Sequence, residues 1–448
     1  MTLLETRSVE PAQKRQLQDV GVRDSSASDD RRFLSLFSGA GGLDAGLESA
    51  GWRSLAALEM DHDAAETLRL NATRSGATTR VIEDKIERVD PKALRLDLGL
   101  DVGELALLAG GPPCQPFTTH GKRRSIFDDR ASDVWPAYLK YVEEFLPKTL
   151  VIENVDGLLS AAIRHRPLAD RKSSPLEDDE RKGSFLKWFL RQLSVRGYTV
   201  SWGLVEAADY GVPQLRQRSL LIGVRGDEPC FLPPPRFGDG RKPYRTLAGA
   251  LEGLREIGPI QPLSDRKRNI YAQIPAGGNW RSLPESLQRE SMGGAFSADG
   301  GKSGWWRRLS METPTPTILG MPDHSSTALV HPTELRCLSV FECAAAQSFS
   351  PEHQFAGKPR SQYQQIGNAV PPLLGQAVGE HLAAFLQGER GSVPEAPAWR
   401  RQSGNRRIGT HGWLNASSMG RSVVSLIVQV RSDHVWSSID KDSEFELS

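Results

Sequence analysis

One cysteine lies in a loop whose neighbours leave it little conformational freedom. The segment GGPPCQPF, residues 110–117, follows the apolar run ELALLA. Its prolines and glycines exclude a regular helix or central strand, so the Cys114 thiol is held on a stiff loop at a strand end. In an open parallel sheet, active sites lie at such ends. The loop therefore predicts nucleophilic catalysis, whereas a lone cysteine elsewhere is more often a small buried hydrophobe.

A glycine-rich turn provides a second candidate site. The segment FSGAGGL, residues 37–43, stands between an apolar strand and an amphipathic helix, where glycines let the backbone approach a ligand closely. Glu59 ends the next apolar run, about 20 residues later, where a carboxylate can accept hydrogen bonds from both ribose hydroxyls. We therefore predict a nucleoside-bearing cofactor, with a tight turn that binds no ligand as the alternative.

Two further polar groups lie beside apolar strands. Glu153 follows the run TLVI, and an acid at a strand's C-terminal end is at the functional edge of the sheet. Gln214, Arg216 and Arg218 alternate, so they point to one side if the segment is a strand. Two alternating arginines alone are more often a solvated strand face.

The elements that position these residues alternate between apolar strands and amphipathic helices from Phe33 onwards. This order predicts an α/β fold built on a parallel sheet with crossover helices. Between residues 226 and 330, proline, glycine and arginine are frequent and no regular period is visible, which indicates an inserted domain. The predicted organisation is a disordered tail at 1–31, a core domain at 32–225, an irregular insert at 226–330, a return to the core domain at 331–387, and an extension of unknown role at 388–448.

Composition narrows the class of protein without identifying it. The chain has 448 residues, 38% of them hydrophobic and 25% charged, as in soluble globular proteins. The net charge of +1 argues neither for nor against a nucleic-acid partner. The four cysteines lack metal-ligand spacing, so we expect free thiols and no metal site. Because no signal peptide or membrane-length apolar run is visible, we expect a cytoplasmic protein.

The motifs together resemble those of one family. GGPPCQPF is similar to the nucleophile loop of the cytosine-5 DNA methyltransferases, and FSGAGG to their S-adenosylmethionine loop. The other landmarks follow in family order: ENV at 153–155, QLRQR at 214–218, RCLSVFECAAAQSF at 336–349 and QIGNAVPP at 365–372. The resemblance implies a Rossmann-like S-adenosylmethionine-dependent methyltransferase sheet, with residues 226–330 as an inserted irregular target-recognition domain.

The resemblance also implies catalytic roles. Cys114 would attack carbon 6 of cytosine, which activates carbon 5 toward the methyl group. Glu153 would hydrogen-bond nitrogen 3 and the amino group of the base. Arg218, with Arg216 as a helper, would contact the flipped base and order the catalytic loop.

The same resemblance implies the cofactor contacts. The residues assigned to S-adenosylmethionine are Phe37, Ala40 and Gly42 for the methionine and loop, Glu59 for the ribose, Met60 and Asp84 for the adenine, and Asn368 and Val370 for the C-terminal side. Two stretches depart from the family pattern. Lys85 separates Asp84 from Ile86, and IFDDRASDVWPAY, residues 126–138, matches only loosely the family pattern Asp-x-Arg-Gly-x-Leu.

Double-stranded DNA is the partner that the resemblance implies. The target base must be flipped out of the duplex, and Lys122, Arg123 and Arg124 can grip phosphates during closure. The candidates for DNA contact in the insert are Arg266, Lys267, Arg268, Asn279, Trp280, Arg307 and Arg308. We expect a monomer, and stretches resembling restriction-modification members predict a companion endonuclease for the same site.

Three other functions are alternatives to a DNA cytosine-5 methyltransferase. A dinucleotide-dependent oxidoreductase would explain FSGAGG and Glu59 but not GGPPCQPF, ENV or QLRQR. An RNA cytosine-5 methyltransferase shares the motifs but usually lacks so long an insert. An inactive DNA-binding homologue would not need Cys114, Glu153 and Arg218 intact.

Overall fold

The computed structural model describes residues 31–113, 134–167, 170, 174–298 and 302–389, and the backbone of 411–414. Within these residues, the strands are β1 (Arg32–Leu36), β2 (Arg53–Glu59), β3 (Arg80–Glu83), β4 (Leu107–Gly110), β5 (Thr149–Asn154), β6 (Tyr198–Glu206), β7 (Gln214–Leu215), β8 (Gln217–Arg225), β9 (Thr315–Pro316) and β10 (His411–Leu414). The α-helices are α1 (Gly42–Ser49), α2 (His62–Ser75), α3 (Pro91–Asp97), α4 (Val134–Phe145), α5 (Ser184–Ser194), α6 (Leu247–Leu251), α7 (Asp265–Tyr271), α8 (Glu285–Met292), α9 (Val340–Ala346), α10 (Pro359–Asn368) and α11 (Pro372–Leu386).

The central sheet has the strand order β10-β6-β8-β5-β4-β1-β2-β3. Strands β3, β2, β1, β4 and β5 are parallel, whereas β8 runs antiparallel to both β5 and β6. Parallel neighbours require crossover helices, which cover both faces of the sheet. The predicted α/β class with a mostly parallel sheet is confirmed. The parallel arrangement brings the C-terminal ends of β1, β2, β4 and β5 to one edge.

The side chains of the sheet separate into two apolar layers. In β1, Leu34 and Leu36 pack in the layer that contains Tyr138 of α4, while Phe33 packs in the opposite layer. This division follows from the two-residue period of a strand. All six residues of β5 are buried, which explains why TLVI is a continuous apolar run.

Helices α1 and α11 approach each other closely through glycines. A Cβ atom added at Gly46 of α1 would lie 2.2 Å from the carbonyl oxygen of Pro372. One added at Gly375 of α11 would lie 2.9 Å from the carbonyl oxygen of Leu43. Neither position has space for a larger side chain. This contact joins the C-terminal part of the chain to the helix that follows the glycine-rich turn.

The predicted insert, 226–330, has little regular structure. Its described helices are the short α6, α7 and α8, and its strand β9 pairs with β7 outside the main sheet. An apolar cluster that includes Tyr271, Trp306 and Val330 packs within and beside this segment. The boundaries of the insert stay a prediction. In the part of the chain that the structure describes, no helix is long and apolar enough to cross a membrane.

Candidate active site

A pocket opens where the parallel strands end. It encloses about 370 Å³, part of it open to solvent, and is lined by residues 35–39, Leu43, Asp44, Gly110, Gly111, Glu153 and residues 368–370. The lining comes from β1, β4, β5, the first turn of α1 and the chain between α10 and α11. Pockets at such strand ends are the usual ligand sites of open α/β sheets. The pocket brings Glu153 together with part of the predicted cofactor set.

Glu153 is a buried acid near the end of β5. Its Oε1 lies 2.8 Å from Nε of Arg218, and the side chains are 10% and 11% exposed, respectively. Burial raises the pKa of Glu153, and the positive charges of Arg218 and Arg216 oppose that shift only in part. A Cβ atom at Gly111 would lie 3.5 Å from Oε2, so the loop backbone passes beside this carboxyl group. The raised pKa favours the protonated form of Glu153 more than in an exposed glutamate, and its carboxyl group lies close to the start of the cysteine loop.

The loop that leads to the cysteine is anchored by Asn154. Its Nδ2 donates to the carbonyl oxygen of Pro112 at 2.8 Å, and its Oδ1 accepts from the backbone N–H of Val155 at 2.9 Å. The amide thus ties β5 to the loop directly. Cys114 itself lies outside the described residues, as do Lys122, Arg123 and Arg124, all within 114–133.

Arg216 is 1% exposed and lies between β7 and β8, so the alternating arginines are not on one continuous strand. Its guanidinium donates to the carbonyl oxygens of Ile318 at 3.0 Å, Gly367 at 2.7 Å and Ala369 at 3.1 Å. These bonds fix the segment that carries the pocket residues 368–370. The placement favours a positioning role for Arg216, whereas Arg218 contacts Glu153 directly.

The nucleoside side of the predicted cofactor site is built around Glu59. Its Oε2 accepts from the N–H of Gly39 and its Oε1 from the N–H of Asp61, both at 2.8 Å. A carboxylate can accept about four hydrogen bonds, so these contacts do not use its full capacity. Met60, the next residue, is 66% exposed and offers an unpacked apolar surface. Glu59 and Met60 therefore fit a ribose and an adjoining base.

The turn after β1 carries backbone features that the sequence does not reveal. Phe37 has a φ of 56°, a left-handed conformation that is rare for a bulky residue and common at ligand sites. The Ala40 carbonyl oxygen lies 3.0 Å from Nε2 of His353, whose pKa burial lowers to about 4. A Cβ atom at Gly42 would lie 2.1 Å from the carbonyl oxygen of Val370. Packing against Val370 is thus one reason for glycine at this position.

Asp84 lies just after β3 and is separate from the pocket lining. Its side-chain oxygen accepts from the N–H of Lys85 at 2.7 Å and lies 3.7 Å from the guanidinium of Arg88. Lys85, which separates Asp84 from Ile86, therefore contacts the Asp84 side chain through its backbone N–H.

The chain matches the C-5 cytosine-specific DNA methylase family over residues 31–384. It belongs to that family. The type II methyltransferase M.Sau96I of Staphylococcus aureus is 35% identical over 370 residues, which cover 82% of this chain and 79% of the relative. The type II methyltransferase M.Eco47II of Escherichia coli is 34% identical over 360 residues, which cover 79% of each protein. The resemblance inferred from the motifs is confirmed, and the chain is a DNA cytosine-5 methyltransferase.

Solved structures agree at the level of the fold. A DNA modification methyltransferase from an Escherichia coli prophage has a TM-score of 0.54 and 22% identity, covering 80% of this chain and 99% of the other. Spodoptera frugiperda DNMT2 has a TM-score of 0.51 and 15% identity, covering 80% of this chain and 98% of the other. At these identities the likeness supports the sheet architecture of the methylase.

The cations of the insert that are predicted to contact DNA differ in the contacts that they make within the protein. Lys267 pairs with Asp323 at 2.9 Å, and Arg268 donates to the Leu335 carbonyl oxygen at 3.3 Å. Arg308 donates to the carbonyl oxygens of His331 at 3.3 Å and Ile274 at 3.0 Å. Lys267 and Arg308 therefore bond within the insert, while Arg268 and Arg308 also bond to the residues that follow it.

The remaining two predicted cations, Arg266 and Arg307, differ in their exposure to solvent. Arg266 is exposed and lies 3.7 Å from a carboxylate oxygen of Glu290. Arg307 is half-buried, and burial lowers its pKa. Arg266 is thus the more accessible of the pair.

Sequence reasoning named Trp280 but missed the cations that lie on its ring and on the ring of Phe296. The guanidinium of Arg281 lies 4.6 Å from the ring centre of Trp280, and that of Arg289 lies 4.7 Å from the ring centre of Phe296. Lys302 donates to the Phe296 carbonyl oxygen at 2.7 Å. The neighbouring letters WR at 280–281 were the available signal. Cations held on rings are well placed to meet phosphates or bases.

Sequence reasoning also missed Asp44, a pocket residue in the first turn of α1. Its Oδ1 accepts from the Ser35 hydroxyl at 2.6 Å, and the Ser38 hydroxyl donates to that of Ser35 at 2.8 Å. Asp44 is 6% exposed, and burial raises its pKa to about 7. An acid directly after FSGAGGL was visible in the sequence, but its burial was not.

Proposed function

We propose that the enzyme methylates cytosine at carbon 5 within a specific short duplex sequence, through a covalent adduct with Cys114. The observation that carries this proposal is the buried Glu153–Arg218 pair beside a loop that Asn154 anchors. An acid with a raised pKa and a fixed cation next to a nucleophile loop are groups that can assist addition to a cytosine ring.

In the proposed reaction, the Cys114 thiolate attacks carbon 6 of the flipped base, and the electron pair of the 5,6 double bond becomes available at carbon 5. Glu153 donates its proton to nitrogen 3 and accepts from the amino group, which relieves the negative charge that attack places on the ring. Arg218 orients Glu153 through the 2.8 Å contact and meets the base from the same side. Carbon 5 takes up the methyl group that the cofactor would supply. A base then removes the proton from carbon 5, the Cys114 thiolate leaves carbon 6, and Glu153 takes back the proton from nitrogen 3.

The cofactor that we assign is S-adenosylmethionine, because the chain belongs to a methylase family. When bound, it would supply the electrophilic methyl group. Glu59 would hold the ribose hydroxyls and Met60 the adenine face, with Asp84 near the adenine amino group. Backbone groups of Phe37, Ala40 and Gly42 would line the amino-acid end. Asn368 and Val370 would close the C-terminal side, held there by Arg216.

The proposed DNA contacts divide between two regions. Lys122, Arg123 and Arg124 would grip phosphates near the flipped base, whose unstacking costs a few kcal/mol. In the insert, the predicted cations Arg266, Lys267, Arg268, Arg307 and Arg308 are joined by Arg281 and Arg289, which extend the basic surface. Lys267, Arg268, Arg308 and Arg289 all bond to other protein groups, with Arg289 paired to Glu285 at 2.6 Å. Arg266 and Arg281 are exposed and are therefore the first residues to test for DNA contact.

The relatives named as type II methyltransferases support a role in restriction and modification. Methylation would then protect host DNA from a companion endonuclease that acts on the same sequence. We propose that the enzyme works as a monomer in the cytoplasm, where that DNA lies.

Transfer of labelled methyl groups from S-adenosylmethionine to plasmid DNA and to transfer RNA tests the proposal, with bisulfite mapping of the DNA product. Label at one short DNA sequence, absent with Cys114→Ser, supports it. Label in RNA alone would favour an RNA cytosine-5 methyltransferase. No transfer from an enzyme that still binds DNA would favour an inactive homologue.

A further inference from the structure

Asp44 is a buried acid that lines the proposed cofactor pocket, and the proposed mechanism gives it no role. Its side chain lines the pocket together with residues 35–39 and 368–370. The hydroxyl of Ser35 satisfies one carboxylate oxygen at 2.6 Å. Among the described residues, no lysine or arginine forms an ion pair with Asp44, whereas the other pocket acid, Glu153, has Arg218.

The charged neighbours of Asp44 make its ionisation less favourable. Glu48 on α1 and Glu59 on β2 both raise its pKa, in addition to the larger effect of burial, while the Ser35 and Ser38 hydroxyls oppose the shift. A buried carboxylate is stable when a cation pairs with it. A ligand that brings a positive charge into the pocket would therefore find an acid prepared to ionise.

Glu59 and Asp44 offer different carboxyl groups to the two ends of the proposed cofactor. Glu59 and Met60 lie beyond Gly39, with the Glu59 carboxylate bonded to the Gly39 N–H, and they fit the nucleoside. Asp44 lies on the first turn of α1, bonded to Ser35 of β1, among the residues that line the pocket. S-adenosylmethionine carries two positive charges, the α-ammonium and the sulfonium, and only the α-ammonium can donate hydrogen bonds to a carboxylate.

We propose that Asp44 binds the α-ammonium group of the cofactor and thereby selects the complete amino-acid end over nucleosides that lack it. This inference rests on the proposed function, because it takes S-adenosylmethionine as the cofactor. Asp44 acts as a binding residue, while Ser35 holds its carboxylate in place.

The test measures binding by titration calorimetry, without catalysis. The ligands are S-adenosylhomocysteine, its deaminated analogue that lacks only the ammonium group, and 5′-methylthioadenosine, which lacks the whole amino-acid end. The proteins are the wild type, Asp44→Asn, and the control Glu48→Gln, which removes an acid one turn further along α1.

We expect Asp44→Asn to weaken binding of S-adenosylhomocysteine about tenfold or more, as for other hydrogen bonds between charged groups. The wild type should bind the deaminated analogue more weakly than S-adenosylhomocysteine by a similar factor. Asp44→Asn should bind these two ligands with nearly equal affinity. The affinity for 5′-methylthioadenosine should differ by no more than about twofold among the three proteins. This ligand lacks the ammonium group that Asp44 would bind, so the substitutions remove no contact with it. Glu48→Gln should bind S-adenosylhomocysteine at least as tightly as the wild type, because loss of this neighbouring negative charge makes Asp44 easier to ionise.

Equal wild-type affinity for S-adenosylhomocysteine and its deaminated analogue would overturn the inference. So would an Asp44→Asn loss that is as large for 5′-methylthioadenosine, since that indicates general damage to the pocket. The ligand comparison in the wild type keeps the test decisive even if thermal melting shows that Asp44→Asn is unfolded. If the wild type binds none of the three ligands, the proposed cofactor fails as well.

Discussion

At the scale of single residues, two opposing effects set the pKa of Glu153. Burial raises its pKa and the arginines lower it, with burial the larger effect. The proposed chemistry needs the protonated form, so kcat should fall as the pH rises through this raised pKa. Glu153→Gln cannot transfer a proton, and we expect kcat to drop about 100-fold or more. Its remaining activity, measured by labelled-methyl transfer across pH, should lack that alkaline decline. An unchanged alkaline decline in Glu153→Gln would assign it to another group.

Asp44 makes a prediction about stability and pH. Its pKa is about 7 in the folded protein against 3.8 as the ordinary value, so the folded state holds a proton that the unfolded state releases. The free energy of unfolding should therefore fall as the pH rises from about 4 to about 7. Asp44→Asn should flatten that part of the curve, as measured by urea unfolding at several pH values. Since Glu206 also has its pKa raised to about 7, the difference between the two proteins is the informative quantity.

Arg216 and Arg218 are two positions apart and have different contacts, so they provide a matched pair of variants. Arg216→Lys removes bonds to the Gly367 and Ala369 carbonyls, which hold the C-terminal wall of the pocket. We expect it to raise KM for the cofactor and lower the Tm. Arg218→Lys weakens the contact with Glu153 and should mainly lower kcat. Steady-state kinetics with both substrates separate the two effects, and identical profiles would contradict the division of roles.

At the scale of elements, the crossing of α1 and α11 sets how closely the C-terminal part of the chain can approach the pocket. Gly46→Ala would place a methyl group 2.2 Å from the Pro372 carbonyl oxygen. Overpacking of this kind costs about 1–3 kcal/mol of unfolding free energy. Gly294→Ala, where a Cβ atom meets nothing within 4 Å, is the matched control and should be nearly neutral. Urea unfolding of both variants checks this, and equal stabilities would show that the helices can move apart.

The strand ends were the part of the fold most accessible to sequence reasoning. Apolar runs such as TLVI predicted both the buried strand β5 and the functional placement of Glu153, because a parallel sheet fixes where its strands end. The break at Arg216 was not visible, since alternation in sequence is the same whether a strand continues or stops. The burial of Asp44 was hidden for a similar reason: it depends on tertiary packing, in which Ser35 of β1 bonds to the carboxylate and the distant residues 368–370 line the same pocket.

At the scale of the whole molecule, the C-terminal extension touches the catalytic sheet at its far edge. Strand β10 pairs antiparallel with β6, and in the sheet order β10 is three strands away from β5, which carries Glu153. We expect deletion of residues 390–448 to leave methyl transfer largely intact while exposing the edge of β6. The measurement is specific activity together with light scattering on heating. A loss of activity comparable to that of Cys114→Ser, in a deletion variant that stays folded, would give the extension a direct role.

The most direct measurement of the central claim is covalent trapping on duplex DNA that contains 5-fluorocytosine at the mapped target site. After methyl transfer, fluorine occupies the position of the proton that must leave carbon 5, so an enzyme linked through a thiolate stays attached. We predict a complex that survives denaturing electrophoresis, requires S-adenosylmethionine, yields a peptide crosslinked at Cys114, and is absent with Cys114→Ser. Methyl transfer to unmodified DNA without any trapped complex, or a crosslink at another residue, would contradict the account.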